Sequence, residues 1–70
     1  MDAFSIEFGT HLRSVRQPLG LTQEEVAQRA GIHVTYLSGI ERGSRNPSLK
    51  NIRRIAVALA LPVARLFEFE

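Results

Sequence analysis

Apolar residues recur every three or four positions along the whole chain, and nowhere do β-branched residues alternate with polar ones. That period belongs to packed helices and not to strands. Phe4, Phe8, Leu12 and Val15 form one stripe of a first helix, roughly residues 4 to 17. Pro18 ends it and biases Gln17 away from helical angles. After the connector Leu19-Gly20-Leu21, Thr22 followed three residues later by Glu25 is a capping box, and a second helix runs from Gln23 to Ala30. Gly31 stops that helix, and a third, Ile32 to Arg42, follows at once with Leu37 and Ile40 on one side and Gly43 after its last turn. Ser44-Arg45-Asn46-Pro47 is turn chemistry, and Ser48 caps a fourth helix in which Leu49, Ile52, Ile55, Ala56 and Leu59 repeat at helical spacing. Pro62 opens a fifth helix holding Val63, Leu66 and Phe67. The expectation is an all-α, compact five-helix domain over residues 1–70, without repeats or linkers.

Seventy residues bury only roughly 60% of their unfolded surface, and with no cysteine the hydrophobic core must hold the fold alone. The missing thiols also exclude a catalytic cysteine, a thiolate zinc site and any need for an oxidising compartment, so the cytoplasm is the expected location. The longest apolar stretch, Ile55 to Val63, falls far short of the roughly 20 residues of a membrane span. The opening Met1-Asp2-Ala3-Phe4 lacks a basic n-region and is read as no secretory signal.

Net charge is only +2, but its distribution is uneven. Residues 1 to 31 carry Arg13, Arg16 and Arg29 against Asp2, Glu7, Glu24 and Glu25. Residues 32 to 65 carry Arg42, Arg45, Lys50, Arg53, Arg54 and Arg65 against Glu41 alone, before the acidic tail of Glu68 and Glu70. A basic middle points to a polyanion partner or to a merely solvated basic face. Eight of the nine cations are arginine, whose planar fork suits phosphates and guanine edges.

Two short helices joined by a tight glycine turn match the helix-turn-helix, whose second member lies in the major groove of DNA. Counting from Gln23, small Ala27 stands fifth, where bulk would push the helices apart. Gly31 stands ninth and reverses the chain, and Leu37 and Ile40 stand fifteenth and eighteenth on the buried side of the second helix. The unit spans about residues 22–42. Because Leu37 and Ile40 claim one side, His33, Val34, Thr35 and Ser38 are expected to face the groove. Tyr36 has two uses: its ring packs at the helix junction, and its hydroxyl reaches a phosphate or base. Arg42 either complements the helix dipole or meets DNA. Arg53 and Arg54 lie on the polar side of the fourth helix, with solvent and remote DNA contact both open. The C-terminal apolar set of Leu59, Leu61, Val63, Leu66, Phe67 and Phe69 exceeds what one small core covers, which makes residues 59–69 the expected seam of a symmetric homodimer.

Gly20-Leu21-Thr22-Gln23-Glu24-Glu25-Val26-Ala27, Ala30-Gly31, Leu37 through Gly43 and Asn46-Pro47-Ser48-Leu49 together resemble the phage-repressor-like (XRE, Cro/cI-type) family, over about Phe8 to Phe67. Thr35 to Arg42 followed by Ser44-Arg45-Asn46 looks like the small controller proteins of bacterial restriction-modification systems. The resemblance implies a dimer that binds a double-stranded DNA operator to control transcription, with RNA polymerase as a further candidate partner. It places Gln23 on a backbone phosphate, in keeping with the attraction of helix N-termini for anions. It places Val34 and Thr35 at base-reading positions, where both offer a methyl group to thymine, and Arg45 and Asn46 along the sugar-phosphate backbone. It pairs Glu41 with Arg16 to tie the third helix to the first. His33 is either a phosphate contact or a simple cap. Ala60 stands where a glycine often ends the fourth helix.

Two histidines, His11 and His33, no Gly-rich phosphate loop and no metal-ligand spacing argue against an enzyme and against a metal or cofactor. The competing reading is an antitoxin that acts by protein-protein interaction.

Overall fold

A computed structural model describes residues 2–70. Among these, four α-helices follow one another: α1 (Ala3–Arg16), α2 (Gln23–Ala30), α3 (Val34–Arg42) and α4 (Leu49–Leu59), with 3-10 turns at Gln17–Leu19 and Val63–Phe67. α2 packs across α4, α1 packs across α3, and the C-terminal turn closes over α1 and α4. The core between them comprises Phe8, Leu12, Val26, Leu37, Ile40, Ile52, Ile55, Leu59 and Leu66 with several alanines.

Each helix start is capped by its own neighbours. Asp2 accepts the backbone N–H of Ser5 (2.8 Å), and the Ser48 hydroxyl accepts that of Asn51 (3.1 Å). At α2 the Thr22 hydroxyl accepts the Glu25 N–H (3.1 Å) while Glu25 accepts the Thr22 N–H (2.9 Å), a complete capping box. α3 begins at Val34 and not at Ile32: His33 is its N-cap, with ring Nδ1 accepting the Thr35 N–H (3.1 Å), and Ile32 turns in against the core.

Two expectations about helix ends are corrected. Gln17 keeps helical angles (φ −60, ψ −45) despite the proline after it, with its N–H still donating to Arg13. The missing N–H of Pro18 tightens the ladder into a 3-10 turn, and Gly20 (φ 73) ends it in the left-handed region. At the other end there is no fifth α-helix, since Val63–Phe67 is a single 3-10 turn. Only Leu66 of that turn is fully buried, and Phe67, still 38% exposed, lays its ring against core Phe8 at a centroid distance of 5.0 Å.

Leu66 itself is 0% exposed, which removes it from the expected dimer seam. Its side chain is a core element of its own protomer. Val63 and Phe67 remain 40% and 38% exposed, Leu61 is half-buried, and Phe69 lies half-buried against Phe4 and His11.

Gly9 is the point where α1 meets the end of α3. A Cβ there would overlap the backbone carbonyl oxygens of Ile40 and Glu41, so only glycine lets the two backbones approach this closely.

Candidate nucleic-acid interface

Leu37 and Ile40 are 0% exposed and fix which side of α3 is turned inward. Thr35 and Arg42 are exposed, Ser38 is half-exposed on the same outer side, and Val34 is half-buried with part of its side chain against the core. The Arg42 guanidinium donates to the Ser38 hydroxyl (2.6 Å), so these two face outward as a pair. Thr35 leaves its hydroxyl and methyl on the surface.

Behind this face lies an ion pair. Arg16 donates from Nε to Glu41 Oε2 (2.7 Å) and from Nη2 to Oε1 (2.9 Å), with side chains only 8% and 2% exposed. Its remaining nitrogen, Nη1, donates to the Leu21 carbonyl (2.7 Å). The two-pronged contact with Glu41 raises the Arg16 pKa above its ordinary value against the opposing effect of burial. The carboxylate accepts a third hydrogen bond from the Gln23 side-chain amide, which donates from Nε2 to Oε1 (2.9 Å). One carboxyl group therefore joins α1, the start of α2 and the end of α3. Gln23 is half-buried and bound inward by one N–H of its side-chain amide, which leaves the second N–H unspent.

Tyr36 is half-buried at the junction with α4, and its hydroxyl accepts from Asn51 Nδ2 (3.2 Å). Asn51 was not legible as a site residue because its partner lies 15 positions away. His33 spends Nδ1 on the α3 cap, leaving Nε2 as the other ring nitrogen.

In the loop between α3 and α4, Arg45 and Asn46 are exposed. The Asn46 side-chain carbonyl accepts from the Ser5 hydroxyl, which pins the loop to α1. The ion pairs among the described residues are Arg16–Glu41 and Arg65–Glu68, so Arg42 and Arg45 are free of carboxylate partners there. No group of three or more metal-ligating side chains occurs among the described residues, and no helix there is long and apolar enough to cross a membrane.

Three comparisons bear on this arrangement. A family model described as Helix-turn-helix matches residues 12–66. Control protein C.BamHI of Bacillus amyloliquefaciens is 41% identical over 63 residues, covering 89% of this chain and 78% of that protein. Control protein C.MunI of a Mycoplasma species is 37% identical over 68 residues, covering 96% and 92%. The solved structure of the restriction-modification controller protein C.AhdI from Aeromonas hydrophila matches with a TM-score of 0.92 at 42% identity, over 94% of this chain and 100% of that one. With the α2-turn-α3 unit inside the matched region and with these relatives 41% and 37% identical over most of their own length, the chain belongs to the helix-turn-helix family.

Proposed function

We propose that this chain is a sequence-specific DNA-binding transcriptional regulator of the controller type, acting as a homodimer on an approximately palindromic operator in the cytoplasm. The outer face of α3 carries the reading. Thr35 stands exposed between Val34 and Ser38, backed by Leu37 and Ile40 and bordered by Arg42 and Arg45. A helix so fixed enters a major groove with its N-terminal residues toward the base edges. Val34 and Thr35 present methyl groups to thymine, and the Thr35 and Ser38 hydroxyls supply the hydrogen-bonding part of the readout. Gln23, His33, Tyr36, Arg42, Arg45 and Asn46 position the unit on phosphates and sugars.

The DNA-binding unit is residues 22–42 and the dimer seam lies within residues 59–69, centred on Leu61, Val63 and Phe67 with Phe69 at its margin. A two-fold dimer sets two copies of α3 roughly 34 Å apart, one helical turn of DNA. The controller assignment, with a restriction-modification system as the regulated unit and RNA polymerase as a further partner, draws on C.BamHI, C.MunI and C.AhdI.

The test is selection from a random double-stranded library, followed by gel shift of the recovered sequences. A recovered inverted repeat bound by two chains is the expected result. No enrichment, with no association even at low salt, overturns the reading.

A further inference from the structure

Four cations from two helices converge on one cleft outside the surface described above. Arg29 from the last turn of α2 and Lys50, Arg53 and Arg54 from the outer side of α4 line it, with buried Ala30 at its floor and exposed Val57 at its edge, in a volume of about 300 Å³. No acidic side chain lines it. Glu25, one helical turn before Arg29, is held by the capping box at the start of α2 and makes no ion pair with Arg29. Arg54 reaches only the Asn51 side-chain carbonyl, at 3.4 Å. Arg29 stands in the acidic first half of the sequence, and the packing of α2 on α4 brings it to the basic second half.

The location decides between occupants. Ala30, on the cleft floor, is followed by Gly31 and Ile32 and then by His33, the cap of α3. Lys50, on its rim, precedes Asn51, which is bonded to Tyr36 of α3. The cleft thus lies on the side of the domain from which the chain enters α3, although no α3 residue lines it, whereas Glu41, with Gln23 bonded to it, and Arg45 belong to the far end of that helix. In a docked helix-turn-helix the N-terminal end of the second helix enters the groove beside the sugar-phosphate strands. Three of the four cations are arginines, whose fork takes two phosphate oxygens at once. Ala30 and Val57 are the only apolar residues that line the cleft, too few to seat a partner helix.

We infer that the Arg29–Lys50–Arg53–Arg54 cleft binds the phosphate backbone of the same duplex that α3 reads, beyond the bases read, and so lengthens the footprint of each protomer. This rests on the DNA-binding reading above and names a second contact surface for it. The contact carries affinity and salt dependence without sequence preference, since phosphates are the same at every step.

The test uses the operator recovered by selection as two duplexes, one trimmed to the selected bases and one extended by about ten base pairs on each side. It compares the wild-type chain with a variant carrying Arg29→Gln, Arg53→Gln and Arg54→Gln, after thermal melting has shown the variant folded. The wild type is expected to bind the extended duplex about tenfold more tightly at low salt, with a salt slope steeper by about 0.9 for each phosphate gained. The variant is expected to match the wild type on the trimmed duplex within about twofold and to lose the gain from extension. A variant that keeps the full gain, or a wild type that shows none, overturns the inference. Equal losses on both duplexes overturn it too, by assigning these cations to general attraction. Retention of the gain together with lost binding to polyglutamate reassigns the cleft to an acidic protein partner. Failure of the wild type to bind any duplex removes the functional reading itself, a result distinct from all of these.

Discussion

The Gln23 amide and the Glu41 carboxylate, 18 positions apart in sequence, meet at 2.9 Å, on the oxygen that also accepts from Arg16 Nη2. The side chain at the start of α2 is therefore held by the pair that locks α3 to α1. Glu41→Ala leaves the Arg16 guanidinium buried without its counter-charge, and the expected destabilisation is about 3–5 kcal/mol, measured by urea unfolding. The double replacement Arg16→Met with Glu41→Leu removes both charges and is expected to cost much less. If the double and single variants lose equally, the pair is not the source of the effect.

Thr35→Ala and Arg45→Ala are expected to act differently on DNA. Loss of the threonine hydroxyl and methyl changes the ranking of operators by about 1–3 kcal/mol at one base position. Loss of Arg45 weakens binding to all sequences alike and lowers the salt slope by about 1. Titration of a panel of operator variants at several salt concentrations separates the two. An unchanged ranking for the threonine variant removes Thr35 from the readout.

Gly9→Ala reverses the usual sign of a helical glycine substitution. At an open helix position the change stabilises by about 1 kcal/mol. Here the new methyl group meets the Ile40 and Glu41 carbonyls, so α1 and α3 must separate, and the expected result is a loss of at least about 1–3 kcal/mol. A melting temperature at or above that of the wild type would refute the close approach.

Ala60 is the one non-glycine residue at positive φ among those described (φ 58). It ends α4 with its N–H on the Ala56 and Val57 carbonyls while Leu61 N–H reaches Ala56. An L-residue there carries a steric penalty of about 1–2 kcal/mol that glycine lacks. Ala60→Gly is therefore expected to raise stability by about 0.5–1 kcal/mol, net of the added freedom of the unfolded chain. Chemical denaturation with an unchanged m-value checks it.

Acid is expected to weaken the helix starts. The backbone N–H of Ser5, and then its hydroxyl, hold Asp2 below its ordinary value of 3.8. The Thr22 backbone N–H, and then its hydroxyl, hold Glu25 below 4.5. A carboxylate with a depressed folded value contributes stability above its unfolded value and loses that contribution as pH falls through the folded one. Thermal midpoints should therefore decline below about pH 5. Asp2→Asn with Glu25→Gln keeps both caps and removes both titrations, so its midpoint should decline less over the same range. Parallel curves for the two proteins would show that these caps do not set the acid response.

Features set by neighbours in the chain are legible in the sequence. The capping box at Thr22, the Gly31 turn, the Ser48 cap and the buried side of α3 depend on residues a few positions apart, where chain connectivity already supplies the proximity. The one-residue difference between an α-turn and a 3-10 turn at Val63–Phe67 was not legible, because both share the same apolar spacing over so short a span. Nor was the fate of Leu66, since an apolar residue near a terminus suits a core and a subunit seam equally, and only the packing of the turn on α1 and α4 chose the core.

The amino-acid order alone specified the approximate positions of the four α-helices, the caps at Thr22, Gly31, Gly43 and Ser48 and which side of α3 is greasy, through local hydrogen bonding and periodic burial. Tertiary structure decided that Gln23 turns to Glu41, that Asn51 holds Tyr36, that the backbones of α1 and α3 meet closely at Gly9, and that Arg29 joins the cations of α4. Each of those contacts joins segments brought together only when the core closes, so each partner is chosen by the packing of the whole domain and not by the residues beside it.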